Sequence, residues 1–309
     1  MKRKTKDASN VLRQLSTEQP NPASKDLDLK SSLQIVRIIN SEDAKVAAAV
    51  KRALPQIARA IDVIAAALKQ GGRLIYVGTG TSGRIAALDA AEIPPTFGAN
   101  PKTVQFIIAG GIKALGEAVE SNEDSREFGE QAIAKKKPGK KDVVVGIAAS
   151  GRTPFTIAAV QYARRHGAKT VAVTCNRNSQ LGKTAEIEIV VEVGPEAISG
   201  STRMKSGTAQ KMVLNMLSSG AMTKLGYVYG NLMINVRTKN YKLAERAATI
   251  LQRAADVPRE TAQQALKASE SSVPLALIML KTGAKKVVAQ RALKAADGNV
   301  RAAIAAVKA

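Results

Sequence analysis

Three turns rich in glycine and hydroxyl side chains are the natural anion binders of this sequence. The first is Gly78-Thr79-Gly80-Thr81-Ser82-Gly83 and the second is Ser150-Gly151-Arg152-Thr153. The third, Ser199-Gly200-Ser201-Thr202, lies within the stretch 194–211. Each stands directly before a helix-like run. The first N–H groups of a helix have no partner within it, so hydroxyls placed beside them make a site for a phosphate or carboxylate. Taken singly, each turn reads as an ordinary N-cap. Their repetition points to one shared phosphate pocket. Two sets of carboxylates accompany them: Glu92, just ahead of Pro94-Pro95, and the cluster Glu120, Glu123, Asp124 and Glu127. Glu92 falls near a predicted helix C-terminus, where the macrodipole disfavours an anion. Buried there, it would keep its proton as a general acid must; exposed, it is a loop glutamate. The cluster reads as the acidic first turn of a helix capped by Ser121 or Asn122.

The elements that must position these groups follow from hydrophobic periodicity. Short apolar strands are predicted at 73–77, 104–108, 142–147, 170–174 and 187–193, alternating with helical segments. Those segments include 85–91, 112–120, 123–135, one ending near His166, and a long one ending near Leu225. Strands alternating with helices imply an α/β fold, a doubly wound five-stranded parallel sheet with helices on both faces. Ligands of such sheets bind beyond the carboxyl ends of the strands, where all three turns fall. Ahead of the sheet, a helix is expected from Ser41, split at Pro55 and ended by Gly71-Gly72. Behind it, a basic helix around 243–251 leads to helices at 260–268, 274–281 and 284–295 and a last one from Asn299, a small C-terminal helical module. The domains are expected at 1–60 (N-terminal arm and helices), 61–225 (the α/β sheet domain), 226–256 (connecting helical segment) and 257–309 (helical module).

Composition narrows the chemistry. The chain has 309 residues, 45% hydrophobic but only 3% aromatic, so Ala, Val, Ile and Leu must build the core. Lys and Arg outnumber Asp and Glu by 47 to 25, a formal charge of +22. These charges are scattered, with neither zinc-finger spacing nor stacked aromatics, and read as a solvated basic surface rather than a nucleic-acid site. One cysteine, Cys175, excludes an internal disulfide and a cysteine-rich metal site, and suits a reducing compartment. The sole histidine, His166, reads as a helix-end residue, so catalysis falls to carboxylates, hydroxyls, Lys or Arg. No apolar run reaches membrane-spanning length and the basic start lacks the apolar core of a secretory signal, so a soluble, cytoplasmic protein is expected. The first turn satisfies the dinucleotide pattern G-x-G-x-x-G. The second strand ends in Ala109-Gly110 with no acidic residue to take a ribose hydroxyl, which argues against a nicotinamide enzyme.

From about Leu15 to the C-terminus the chain resembles the N-acetylmuramic acid 6-phosphate etherases, a branch of the sugar isomerase (SIS) domain superfamily. The resemblance rests on LIYVGTGTSGR at 74–84, LDAAEIPPT at 88–96, AVESNEDSRE at 118–127, residues 143–153 and the stretch 194–211. That last stretch is also similar to the signature of the glucokinase regulatory protein, which binds sugar phosphates without turning them over. Ser121-Asn122 stands where family members often carry smaller residues. The resemblance implies catalytic roles for Glu92 and Glu123, the first as acid and the second as base. It also implies an anionic amino-sugar phosphate substrate, no cofactor and no metal, and a homodimer with sites near the subunit boundary. The C-terminal helices look like a small ubiquitin-associated-like module. Thr79, Thr81, Ser82, Gly83, Ser150, Gly151, Arg152, Thr153, Ser199, Ser201 and Thr202 would hold the phosphate, with Arg84 and Arg203 favouring the anionic ends of the substrate. Three other functions use related residues: a non-catalytic sugar-phosphate-binding regulator, a sugar-phosphate isomerase, and a DNA-binding regulator with a sugar-phosphate sensor. The acid–base pair argues against the first. The second would release no lactate, whereas the resemblance implies cleavage of a D-lactyl ether with release of D-lactate, and the third needs an N-terminal helix-turn-helix for which residues 1–40 offer too little core.

Overall fold

The computed structural model describes residues 15–119, 122–236 and 241–309. The basic head at 1–14, Glu120 of the acidic cluster and its candidate cap Ser121 lie outside the described residues. Two compact units form: Met1–Ala90 with Lys102–Leu217, and Ala91–Pro101 with Ser218–Ala309.

The first unit opens with short 3-10 turns and then α1 (Ser32–Arg52) and α2 (Leu54–Lys69). α1 starts nine residues before the expected Ser41, at a capping box in which the Ser31 hydroxyl accepts from the Gln34 amide and the Gln34 side chain accepts from the Ser31 amide. Its first turns leave Leu33 and Val36 exposed, so the buried periodicity that marks the later turns is absent there. Pro55 does separate the helices, sitting in the first turn of α2 where a missing N–H leaves no bond unmade.

A five-stranded parallel sheet follows, in the order β2-β1-β3-β4-β5. The strands are β1 (Leu74–Gly78), β2 (Val104–Ile108), β3 (Val143–Ile147), β4 (Lys169–Thr174) and β5 (Ile187–Val190). β1 and β3 are buried at every position, as a sheet covered on both faces requires. Alternate residues serve the two faces. Ile75, Val77 and Val144 share a core with α4 (Arg126–Ala134) and α5 (Pro154–Arg165). On the opposite face α2 packs over β3 and β5, and the Tyr76 hydroxyl donates to Asp89 of α3 (Gly80–Phe97) at 2.9 Å. A short α6 (Gln180–Thr184) precedes β5, and α7 (Lys205–Lys224) begins in the first unit.

Three departures from the expected elements bear on function. The helix expected at 112–120 is only a 3-10 turn over Gly111–Leu115. The helix expected at 123–135 starts at Arg126, with the Ser125 hydroxyl as its cap, so Glu123 lies in the turn ahead of it rather than in its first turn. α3 does not stop before Pro94-Pro95 but continues to Phe97. Prolines cost a helix two amide bonds; here Ile93 and Phe97, one turn apart, are both buried, and Phe97 meets Tyr227 edge-on with ring centroids 6.4 Å apart.

In the second unit a hairpin of β6 (Val228–Tyr229) and β7 (Leu232–Met233) turns at Gly230, whose φ is +61°. Five helices follow: α8 (Tyr241–Ala255), α9 (Arg259–Ala268), α10 (Val273–Thr282), α11 (Lys286–Ala295) and α12 (Val300–Lys308). They enclose an aliphatic core that includes Leu251, Leu266, Leu277 and Ile278. Gly283 (φ +70°) ends α10 in the left-handed conformation, and the Asn299 side chain caps α12.

Candidate functional site

The strand order puts the switch point of the sheet between β1 and β3, whose last residues Gly78 and Ile147 are paired in register. The crevice beyond such neighbours is the usual ligand site of an open α/β sheet. The first hydroxyl turn leaves β1 there and the second leaves β3.

Glu123 joins the two. Its carboxylate accepts a hydrogen bond from Thr79 Oγ1 at 3.0 Å, while its backbone carbonyl accepts from the Phe155 amide at 3.1 Å, in the first turn of α5. Gly80, the first residue of α3, has φ +49°, and a methyl group on it would lie 3.4 Å from Glu123 Oε1. The carboxylate therefore rests at the positive end of α3, where an anion is favoured. Glu123 is half-buried, sheltered but reachable.

The hydroxyl turns divide by what their groups already do. Thr79 is engaged with Glu123. Ser82 is buried and donates to Gln210 Oε1 at 2.9 Å, fastening α3 to α7, and buried Gly83 gives its amide to the Thr79 carbonyl. Thr81 is half-buried and faces α7 at Gly207, where an added methyl would come 3.4 Å from its side chain. In the second turn the Ser150 hydroxyl accepts from the Arg152 amide at 3.2 Å, and Gly151 (φ +66°) lies so near Ser179 that a methyl on it would fall 2.3 Å from Ser179 Cβ. Arg152 is exposed, and Thr153 occupies the N-cap of α5 without its hydroxyl capping the helix.

The third turn is built differently from the expectation. The open helix mouth anticipated at α7 is closed by fully buried Glu196, whose carboxylate accepts from the amides of Lys205 at 2.8 Å and Ser206 at 2.9 Å. A protein carboxylate thus holds the place an anionic ligand would take. Ser199 is turned to the N-terminal arm, donating to the Glu18 and Gln19 carbonyls at 3.2 and 3.3 Å. Ser201 and Thr202 are half-buried in the turn, with the Thr202 carbonyl accepting from Gly207. Beneath them Lys205 is paired with Glu42 of α1 at 2.6 Å, with side-chain exposures of 2% and 3%. Burial alone would push the Glu42 carboxyl up; hydrogen bonds from Lys205, Lys45 and Asn21 outweigh it and hold it at about 2, against an ordinary 4.5. Asn176 completes the support, bridging Ser16 and Thr17 of the arm to the Ala149 carbonyl of the second turn.

Glu92 lies inside α3, five residues before its end, and is exposed rather than buried. Arg84 is spoken for by the Glu117 carbonyl at 2.7 Å, and Arg203 is exposed. Cys175 is buried, which pushes its thiol up to about 12, far from reactivity. Among the described residues no group of three or more His, Cys, Asp or Glu could hold a metal, and no helix is long and apolar enough to cross a membrane.

A five-stranded parallel sheet in the order β2-β1-β3-β4-β5, with hydroxyl turns at its switch point, is a doubly wound α/β domain, and the family models make it an SIS domain. The model "Glucokinase regulatory protein N-terminal SIS domain" matches residues 56–164 and "SIS domain" matches residues 129–219. Full-length relatives narrow the class. The chain is 54% identical to an N-acetylmuramic acid 6-phosphate etherase of Symbiobacterium thermophilum over 88% of its length and 90% of that protein's. It is 51% identical to that of Clostridium beijerinckii (87% and 88% covered) and 49% identical to that of Salmonella agona (94% and 98% covered). The chain belongs to the N-acetylmuramic acid 6-phosphate etherase family, as the resemblance drawn from the sequence implied.

Proposed function

We propose that this chain is the lyase that removes the D-lactyl ether from N-acetylmuramic acid 6-phosphate, a step in recycling cell-wall amino sugars. The observation that carries the reading is the Glu123 carboxylate, held by Thr79 between the two turns at the β1/β3 crevice, in a chain about half identical to named etherases. In the open-chain aldehyde of the substrate, the C2 proton lies beside a carbonyl and is acidic enough for a placed carboxylate. Glu123 takes that proton, and the C2 electron pair forms the C2=C3 bond as the C3–O bond breaks. Glu92 gives a proton to the departing lactate oxygen. Water then adds to C3 of the unsaturated aldehyde, with Glu92 taking its proton and C2 reprotonated. Substrate plus water thus becomes N-acetylglucosamine 6-phosphate plus D-lactate, with no cofactor or metal required.

The phosphate is assigned to the second turn, where Ser150, Thr153 and the Arg152 guanidinium offer donors at the mouth of α5. Thr81, Ser201 and Thr202, half-buried on the α3 and α7 side, remain available to the substrate, whereas Ser82 and Gly83 are buried and committed to packing. The protein acts in the cytoplasm as a homodimer with its sites near the subunit boundary, as the family resemblance implies. Incubation with N-acetylmuramic acid 6-phosphate and assay of free D-lactate tests the reading. Release by the wild type, lost in Glu123→Gln and Glu92→Gln, supports it. Saturable sugar-phosphate binding with no lactate released would make the chain a regulator instead.

A further inference from the structure

We infer that Thr79 is a positioning residue for the base Glu123 and not a ligand of the substrate phosphate, an assignment that rests on the base role proposed above. A threonine hydroxyl has one proton to donate. Here that proton is directed at Glu123 Oε2, 3.0 Å away. While Glu123 is ionised, Thr79 can only accept from a third group, and a phosphate dianion has nothing to donate. The first turn therefore differs in kind from the second: its leading hydroxyl serves the protein's own carboxylate.

The surroundings are consistent with a base held in one place. Its main chain is fixed from one side, where the Phe155 amide at the start of α5 donates to the Glu123 carbonyl. Its carboxylate is fixed from the other side, where Thr79 follows the last residue of β1. Between them lies Gly80, the first residue of α3, in a left-handed φ of +49°, with the Glu123 carboxylate beside it. Glu123 lies in the turn ahead of α4 and not in a helix, and these two contacts help to define where its carboxylate sits. Proton abstraction from carbon is intolerant of that freedom; a displacement near 1 Å in a reacting group costs on the order of 100-fold.

The test is steady-state kinetics on Thr79→Val, which keeps the shape and removes the donor, with Thr79→Ala as a second deletion and Thr79→Ser restoring the hydroxyl. C2–H exchange is followed in deuterated water. The expected result is a kcat lower by roughly 10- to 100-fold in Val and Ala, C2 exchange lower in proportion, and KM within about threefold of wild type, with Ser recovering most of the rate. Thermal melting shows whether each variant is folded. A KM raised about tenfold or more with kcat retained would make Thr79 a substrate ligand and overturn the inference while leaving Glu123 as base. Unchanged constants in Val and Ala would overturn it as well. Undiminished C2 exchange in Glu123→Gln would instead bring down the base assignment itself.

Discussion

Replacing Glu42 by Gln leaves the Lys205 ammonium buried at the root of the third turn without its counter-charge. The pair is 2.6 Å apart with both side chains almost wholly enclosed, so water cannot substitute for the missing partner. Breaking a buried pair from one side costs about 3–5 kcal/mol. Linkage gives a figure of the same size: a carboxyl held at about 2 instead of 4.5 corresponds to roughly 3 kcal/mol at neutral pH. Because the folded-state value lies below the unfolded one, this contribution is complete above about pH 4.5 and is lost as the pH falls toward 2. Guanidinium unfolding of wild type and Glu42→Gln, followed by circular dichroism, should show a gap of about 3 kcal/mol at pH 7 that shrinks to less than about half by pH 3. The double change Glu42→Leu with Lys205→Met should recover much of the loss, since a packed apolar pair carries no stranded charge. A gap under about 1 kcal/mol at pH 7, or one indifferent to pH, would refute the reasoning.

Other substitutions separate support from substrate binding. Glu196→Ala removes two hydrogen bonds to the first turn of α7 and should cost about 3 kcal/mol in guanidinium unfolding. Arg152→Ala, at an exposed position, should raise KM by about tenfold while leaving the melting temperature unchanged, as the phosphate role proposed for it implies. Gly151→Ala combines a left-handed φ of +66° with a 2.3 Å clash against Ser179 Cβ, and should lower stability by about 2 kcal/mol or more in thermal melts.

Much of this architecture could be read from periodicity. The five strands stand within a few residues of their expected places because parallel strands buried on both faces are short apolar runs between glycine-rich turns. The starts of α1 and α4 were not legible. α1 opens on turns whose apolar side chains are exposed, and α4 takes Ser125 as its cap although Ser121 and Asn122 offered the same chemistry. α3 ran past a diproline that ordinarily ends a helix, because Ile93 and Phe97 are held by burial that local sequence does not encode. At the site, the turns were visible as composition, but their partners were not. Glu196 reaches the α7 amides from nine and ten residues upstream, outside any capping pattern, and Glu42 meets Lys205 across 163 residues. The pairing of Thr79 with Glu123, 44 residues apart, is likewise a product of sheet order and not of spacing.

The most direct test of the proposed chemistry is to run the reaction to completion in deuterated, oxygen-18-labelled water and weigh both products. Elimination followed by hydration predicts one deuterium at C2 and one heavy oxygen at C3 of the amino sugar phosphate, with the lactate ether oxygen unlabelled. Heavy oxygen in the lactate, or none at C3 of the amino sugar phosphate, would contradict breaking of the C3–O bond by elimination followed by hydration.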